Sequence, residues 1–520
     1  GWKHPRILAG LRETKAEGGW AVVNTEYCSI HPSSDDAPYN CASLWDDGDI
    51  RAHALMTEKL HMYGALAGVE LCIGGARMPN LHTREIMLGV VSMPNTDGNP
   101  FHCKAMDKED IRQTRKWHRN AAIRAKKAGF DIVYVYATHD YLLSQFMSPK
   151  LNSRVDEYGG SLKNRIRLVR ELLEETKEAV GDKLGVAIRF SAETNGGDGG
   201  DGTPILGETE EIFDILGEIP DLWDINVQDY SLEMGVSRFV KEGALENYVS
   251  CVKQLTSKPV VSVGRFTSPD TMVKQVNAGV LDFIGAARPS IADPFLPKKI
   301  EEGRLEDIRE CIGCNICYMG DGTGTPIRCT QNPTMSEEWR RGWHPEIIKS
   351  RKYDSQVLIV GAGPAGLEAA HQLGKRGYSV TLAEATRNLG GRVTKEAKLP
   401  GLSEWIRVRD YRVQQLQKLD NVEIFLESEL SAKDVIDFGA DHIAVATGCY
   451  WRKDGFGINN LGGISNLCPA NKIYSPDDIM AGSFPEVSTI IFDDDGPGIP
   501  EDQYRNVFRP FFRLDKSRNL

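Results

Sequence analysis

Cys311-Ile312-Gly313-Cys314-Asn315-Ile316-Cys317, closed by Cys329, divides this 520-residue chain into two kinds of sequence. Before it, short apolar strands alternate with amphipathic helices. After it, a strand runs into a glycine-rich turn. The spacing is C-x2-C-x2-C-x11-C. Four thiolates so placed can wrap a compact inorganic centre, because soft sulfur suits iron–sulfur clusters or zinc. Zinc ribbons pair two C-x2-C knuckles across a longer loop. Three cysteines at a period of three with one distant partner fit a [4Fe-4S] site better, with Cys311, Cys314, Cys317 and Cys329 as its ligands.

Composition narrows the field. A net charge of -11 and a pI near 5.6 give a nucleic-acid role no electrostatic footing. The remaining cysteines (Cys28, Cys41, Cys72, Cys103, Cys251, Cys449 and Cys468) show no disulfide-framework spacing, which fits a reducing cytoplasm. No apolar run is long enough to span a bilayer, and no signal peptide is visible. The first residue is Gly1 rather than Met, so an upstream segment is expected.

Residues 1–300 carry seven candidate strands: 21–30, 67–73, 131–137, 185–190, 222–227, 260–264 and 282–286. One helix is expected from Asp107 to Ala128, stopped by Gly129, and another from Ser161 to near Gly181. Such alternation predicts parallel βα units, hence an α/β fold. A (β/α)8 TIM barrel needs eight strands. The last visible strand leads directly into the cysteine segment, so the expectation is a barrel lacking its first strand.

In these barrels chemistry sits at the C-terminal ends of the strands. There the sequence places Tyr27, Glu70 with Cys72, Tyr136 with His139, Arg189, Asp229 with Glu233, Gly264-Arg265, and Gly285 with Arg288. Together they make an acid–base pair, carboxylates and arginines around one mouth. The glycines allow a backbone to approach a phosphate, and Arg288 is placed to clamp it. This is the outline of a flavin mononucleotide (FMN) site.

Tyr158-Gly159-Gly160-Ser161-Leu162 with Asn164-Arg165 resembles the signature of the old yellow enzyme class of FMN barrels. The strand Asp282–Pro289 resembles that class's phosphate-binding last strand. The cysteine run and the glycine motif after it resemble its iron–sulfur flavoprotein branch. The stretches 15–20, 24–29 and 134–141 narrow the likeness to the dimethylamine and trimethylamine dehydrogenase family. The resemblance implies Tyr136 and His139 as two members of a catalytic acid–base group. It implies a carboxylate as the third, with Glu233 and Asp229 both open. Glu70, Arg189 and Arg288 match flavin-contacting positions. Tyr27 matches one wall of an aromatic bowl for the substrate amine. Such bowls work by cation–π attraction, roughly 0.5–2 kcal/mol per ring. A second wall is usually tryptophan, and Cys72 stands there. The family attaches FMN through a cysteine on the strand absent here. The implied reaction is amine oxidation, with electrons leaving through the cluster to an electron-transferring flavoprotein. A homodimer is left open.

The second domain, expected over 351–492 after a cluster segment at 301–350, begins Ser355-Gln356-Val357-Leu358-Ile359-Val360. It runs straight into Gly361-Ala362-Gly363-Pro364-Ala365-Gly366. A helical pattern follows, and Glu384 ends the next strand, which completes the dinucleotide-binding context. The glycines bring the pyrophosphate to a helix N-terminus, Glu384 takes ribose hydroxyls, and Gly390-Gly391-Arg392 looks like a further part of the site. The resemblance holds ADP in the amine dehydrogenases and FAD in the enoate and dienoyl-CoA reductases, so an NAD(P)H-dependent reductase is the alternative. Residues 493–520, with Asp495-Gly496-Pro497-Gly498 and Phe508-Arg509-Pro510-Phe511-Phe512, resemble a fragment of a sensor histidine kinase ATPase domain. A piece this short cannot bury its own core, so a foreign or disordered tail on an inactive chimaeric chain is a further expectation.

Overall fold

The computed structural model describes residues 4–34, 42–78, 80, 82–96, 100–192, 208–323, 326–453 and 474–483. The expectations for residues 493–520, and for Cys41 and Cys468, lie outside these. The chain forms two compact units, 1–348 and 349–520, so the cysteine segment belongs with the barrel-like unit.

The first unit is built on a curled sheet of eight parallel strands. In chain order these are β1 (Val22–Ser29), β2 (Ala42–Ser43), β3 (Leu66–Cys72), β7 (Ile132–Ala137), β8 (Gly185–Ser191), β9 (Leu222–Asn226), β10 (Val260–Ser262) and β11 (Phe283–Ile284). The excursion between β3 and β7 carries the short β4 (Leu88–Gly89), β5 (Met93–Pro94) and β6 (His102–Ala105). The sheet order is β11-β10-β9-β8-β7-β3-β1-β2. All seven expected strands are present. The eighth, β2, is two residues long and pairs with the end of β1, Cys28 against Ala42. Among the described residues the sheet therefore ends at β11 and β2 and is open, a TIM-barrel-like half-barrel.

The helices follow from local chemistry. Lys108–Lys127 starts at Asp107, whose carboxylate accepts from the Glu109 and Asp110 amides in a capping box. Its buried face is Ile111, Thr114, His118, Ala121, Ala122 and Ala125, at helical spacing. The helix expected from Ser161 breaks at Ile166 into Leu162–Arg165 and Arg167–Val180. The reason is Arg165, whose buried guanidinium donates to the Met147 and Gly160 carbonyls at 2.9 and 2.7 Å and pairs with Glu208. Gly159 is tight as well: a Cβ there would lie 2.1 Å from the Arg154 carbonyl oxygen.

The cysteine segment is stapled to this unit by a buried ion pair. Asp293 accepts from Lys299 Nζ and from the Arg309 amide, both at 2.8 Å, while both side chains are 2% exposed. Isolated, either charge would carry a desolvation cost of several kcal/mol, so the pair fixes the geometry.

The second unit has a four-stranded parallel sheet, β12 (Gln356–Val360), β13 (Ser379–Ala383), β14 (Val422–Phe425) and β15 (His442–Val445), in the order β14-β13-β12-β15. The helix Pro364–Lys375 packs Leu367 and Ala370 with Val357, Ile359, Val380 and Leu382. No described helix is long and apolar enough to cross a membrane.

Candidate active site

Sheet register assembles the mouth. Paired residues of parallel neighbours project to the same face. Tyr27 on β1 pairs with Glu70 on β3, and Tyr136 on β7 pairs with Arg189 on β8, which pairs with Asp224 on β9. Glu70 itself pairs with Tyr134, two residues before Tyr136 on the same face, so residues far apart in sequence become two adjacent rows of one band.

Around that band charge is concentrated and dry. Arg189 Nη1 donates to Glu70 Oε1 at 2.8 Å, and its Nη2 lies 3.7 Å from Glu233 Oε1. Its guanidinium stands 5.4 Å from the Tyr136 ring centre. Tyr136 Oη and His139 Nδ1 are 2.8 Å apart, and His139 Nε2 is 2.7 Å from Glu233 Oε2. Of the two carboxylates left open, Glu233 is the one beside His139. Asp229 instead caps the helix Tyr230–Gly235, accepting from the Ser231 amide at 2.8 Å.

Environment pushes the two glutamates apart. Burial lifts the Glu70 carboxyl to about 7, against the pull of Arg189. Burial opposes ionisation of Glu233 too, but His139 and Arg189 outweigh it and hold the carboxyl near 2. Burial keeps His139 below the usual imidazole range, against Glu233, and raises Tyr136 well above the phenol range. The consistent protonation has Tyr136 Oη donating to Nδ1 of a neutral imidazole, whose Nε2 lies against an ionised Glu233 without an aligned hydrogen bond.

His139 sits in a strained turn. His139 and Asp140 both have a φ of 58°, left-handed without glycine; such residues cost of order 1–3 kcal/mol each and persist only when surrounded by constraints. Here Arg77 Nη1 donates to the His139 carbonyl at 2.7 Å, Gln145 Nε2 donates to the Asp140 carbonyl at 2.6 Å, and Gln228 Nε2 donates to the Asp140 carboxylate.

Aromatic rings line the rest. Tyr27 lies 5.8 Å from Tyr141, and Tyr141 5.3 Å from Tyr136. Tyr230 lies 5.1 Å from His139, edge-on, and 5.7 Å from Tyr318. Cys72 is sealed among Met78, Tyr136, Tyr27 and Tyr141. Sequence reasoning missed Tyr141, Tyr230, Tyr318, Arg77 and Gln228. Tyr141 and Tyr230 lie within two residues of positions already singled out, and that proximity was the signal available.

Two expectations about phosphate binding change. Arg288 is taken up by the turn after β9: Nη1 donates to the Val236 carbonyl at 2.9 Å and to Asn315 Oδ1 at 2.8 Å, and Nη2 to the Glu233 carbonyl at 3.2 Å. It ties the Glu233 helix to the cysteine segment. Gly264 and Gly285 are required by packing: a Cβ would lie 3.0 Å from the Phe266 ring and 2.9 Å from the Ser262 carbonyl oxygen, respectively. Arg265, at φ 55°, donates to the Cys311 and Val240 carbonyls. A flavin nevertheless fits the mouth. Arg189 Nε is a buried donor with no aligned hydrogen bond, the chemistry that the carbonyl and ring nitrogens of an isoalloxazine take.

The four cysteines also suit a cluster. The Gly313 and Gln331 amides approach the sulfurs of Cys311 and Cys329 at 3.5 and 3.3 Å. Burial raises all three of Cys311, Cys317 and Cys329, the last two to about 12 and about 11, with the neighbouring thiols adding to it. Among the described residues no three His, Cys, Asp or Glu side chains are placed to hold one metal ion.

In the second unit the glycines divide their tasks. A Cβ on Gly361 (φ 99°) would lie 2.5 Å from the Ala446 carbonyl oxygen, and on Gly366 1.9 Å from that of Gly361. At Gly363 it would meet nothing within 4 Å, which leaves room in front of the helix N-terminus where a pyrophosphate binds. Glu384 accepts from the Ala362 amide at 2.8 Å and from the Thr386 amide at 2.9 Å, so it shapes the loop. Arg392 pairs with Glu396 at 2.7 Å and Asp477 at 3.0 Å.

Residues 4–307 match the family described as NADH:flavin oxidoreductase / NADH oxidase, and residues 359–426 match an NAD(P)-binding Rossmann-like domain. The chain belongs to the NADH:flavin oxidoreductase / NADH oxidase family. It is 42% identical to dimethylamine dehydrogenase of Hyphomicrobium sp. (strain x), over 88% of this chain and 64% of that relative. It thus spans just under two thirds of that protein. The solved structure of histamine dehydrogenase from Rhizobium sp. 4-9 is 47% identical, with a TM-score of 0.88, covering 94% of this chain and 72% of that one. A second, 6-hydroxypseudooxynicotine amine oxidase from Pseudomonas geniculata N1, is 46% identical, with a TM-score of 0.87, covering 94% and 73%.

Proposed function

We propose that this flavoprotein-family chain oxidises a small secondary or tertiary amine, of the dimethylamine or trimethylamine kind, with Tyr136, His139 and Glu233 as its acid–base group. The observation that carries the reading is the continuous buried line Tyr136 Oη, His139 Nδ1, His139 Nε2, Glu233 Oε2, with steps of 2.8 and 2.7 Å. Glu70 and Arg189 would hold FMN in the mouth. Cys311, Cys314, Cys317 and Cys329 would hold a [4Fe-4S] cluster, and the Gly361–Gly366 turn ADP or FAD. When bound, FMN supplies a two-electron acceptor and the cluster a one-electron outlet to an electron-transferring flavoprotein.

The residues do the proton work. An alkylammonium entering the mouth must lose its proton before its nitrogen lone pair can assist oxidation. Tyr136 Oη accepts that proton as its own passes to His139 Nδ1, and ionised Glu233 stabilises the imidazolium that results. The oxidised substrate leaves as an iminium, which water hydrolyses. Cysteine usage in the sequence supports a cytoplasmic setting for this activity.

The test is anaerobic addition of dimethylamine or trimethylamine to the purified flavin-loaded protein, followed by NADPH. Bleaching of the flavin band by an amine is expected. Bleaching by NADPH alone would replace this reading with the enoate reductase alternative. Metal analysis should find about four irons per chain; stoichiometric zinc contradicts the cluster.

A further inference from the structure

Arg77 plays no part in the chemistry above, yet it sits in the middle of the mouth. Its guanidinium carbon is 5.8 Å from the Tyr141 ring centre and 5.9 Å from that of Tyr230. Nη1 donates to the His139 carbonyl at 2.7 Å and lies 3.8 Å from Asp140 Oδ2. The side chain is 20% exposed, so it is fixed and mostly enclosed. A cation between two tyrosine rings uses the same ring electrostatics that would otherwise hold a substrate ammonium. Further rings stand close to them: Tyr27 and Tyr136 by Tyr141, His139 and Tyr318 by Tyr230.

We propose that Arg77 is a specificity-determining residue, which excludes permanently charged ammonium groups from the Tyr141–Tyr230 side of the mouth and so selects amines that enter, or become, uncharged. The assignment rests on the amine reading and narrows its substrate class. The protein's own cation already occupies the aromatic faces. A second unit charge a few ångströms away is repelled in a site where water cannot fully screen it. A titratable amine escapes the repulsion by giving up its proton. A quaternary ammonium has no such route.

The probe is tetramethylammonium chloride, titrated calorimetrically into the flavin-loaded full chain at constant ionic strength. Arg77→Met and Arg77→Gln both remove the charge, and the glutamine keeps a donor for the His139 carbonyl. Arg77→Lys keeps the charge. Both neutral variants should bind tetramethylammonium at least roughly tenfold more tightly than wild type, the size expected for relief of one near charge. Arg77→Lys should stay at the wild-type affinity. Unchanged affinity in the neutral variants, or tightening in all three, overturns the proposal. Wild type supplies an independent arm that needs no variant to fold. It should bind neopentyl alcohol, a neutral match in shape, more tightly than tetramethylammonium; the reverse order overturns the proposal as well. Binding of an inert cation needs no turnover. A wild type that oxidises no amine therefore sinks the functional reading and the substrate class drawn from it, while the order of these affinities tests the charge exclusion by Arg77 separately.

Discussion

The barrel mouth and the glycine-rich loop of the second unit handle charge by opposite means. The mouth encloses titratable side chains drawn from four strands or their following loops: Glu70, His139, Arg189 and Glu233. The loop uses backbone: Gly361 and Gly366 permit its close packing, Gly363 leaves space before a helix N-terminus, and Glu384 holds the Ala362 amide. Buried side-chain charge can be tuned one proton at a time and makes acid–base chemistry. Aligned backbone dipoles carry a fixed partial charge and suit holding a phosphate. The mouth is therefore sensitive to what a side chain carries, and the loop to how much room a Cβ takes.

The largest effect should come from the mouth's proton carrier. Replacing His139 with Gln keeps a polar side chain of similar reach but removes the group that takes Tyr136's proton. Amine kcat/KM should fall by about 10²–10⁴-fold, as for loss of a positioned acid–base group, with the circular dichroism spectrum unchanged. A loss of only a few-fold would mean that His139 is structural and that the contrast with the loop is misdrawn.

Glu233→Gln sharpens the contrast through pH. The folded carboxyl is held near 2 and the ordinary value is 4.5. Its stabilising contribution is complete above the ordinary value and is lost as pH falls from there towards 2. The full term is on the order of 3 kcal/mol. Denaturant melts of wild type and Glu233→Gln should converge as pH drops through that window. In activity the sign follows from His139. Glu233 supports the imidazolium, so its removal lowers the His139 pKa further and moves the acid limb of kcat/KM to lower pH. A limb that moves up, or melts that stay parallel, would show that the two side chains do not share charge.

The same contrast explains what the sequence made legible. The Gly361–Gly366 turn is contiguous, and so is the cysteine run, so spacing alone carries the chemistry. The seven strands announce themselves by apolar content. β2 has two residues and no period to detect. Tyr136, His139 and Glu70 stood out because strand ends are where barrel chemistry gathers. The choice of Glu233 over Asp229 did not, since it depends on which way a short helix turns after its cap. Arg288 and Arg392 show the limit most clearly. A guanidinium near a glycine reads as a ligand clamp. Only the fold reveals that backbone carbonyls, or Glu396 and Asp477, have already engaged it.

On the loop side, two glycines three residues apart should behave differently. Gly366→Ala places a Cβ 1.9 Å from the Gly361 carbonyl oxygen. It should destabilise the second unit by about 1–3 kcal/mol through overpacking. Gly363→Ala puts its Cβ in open space, at a backbone angle any residue adopts. Its melting should stay within about 0.5 kcal/mol of wild type, while ADP binding, measured by calorimetry, weakens. Equal melting losses at both positions would remove the distinction between a packing glycine and a ligand-facing one.

The smallest expected effect returns to the mouth and isolates charge from scaffold. Asp229 and Glu233 are four residues apart on the same short helix, one at its cap and one in its first turn. Asp229 makes its hydrogen bonds to the Ser231 amide and hydroxyl and to the Leu232 amide, all within its own turn. Asp229→Ala should cost about 1 kcal/mol of stability, the usual worth of an N-cap. Because that helix carries Glu233, activity should dip slightly, without a change in the shape of the pH profile. Asp229→Asn, which still caps, should restore both. Were Asp229→Ala instead to shift the acid limb as Glu233→Gln does, the carboxylate that serves His139 would be the cap residue. The acid–base line would then have to be redrawn through the other end of the turn.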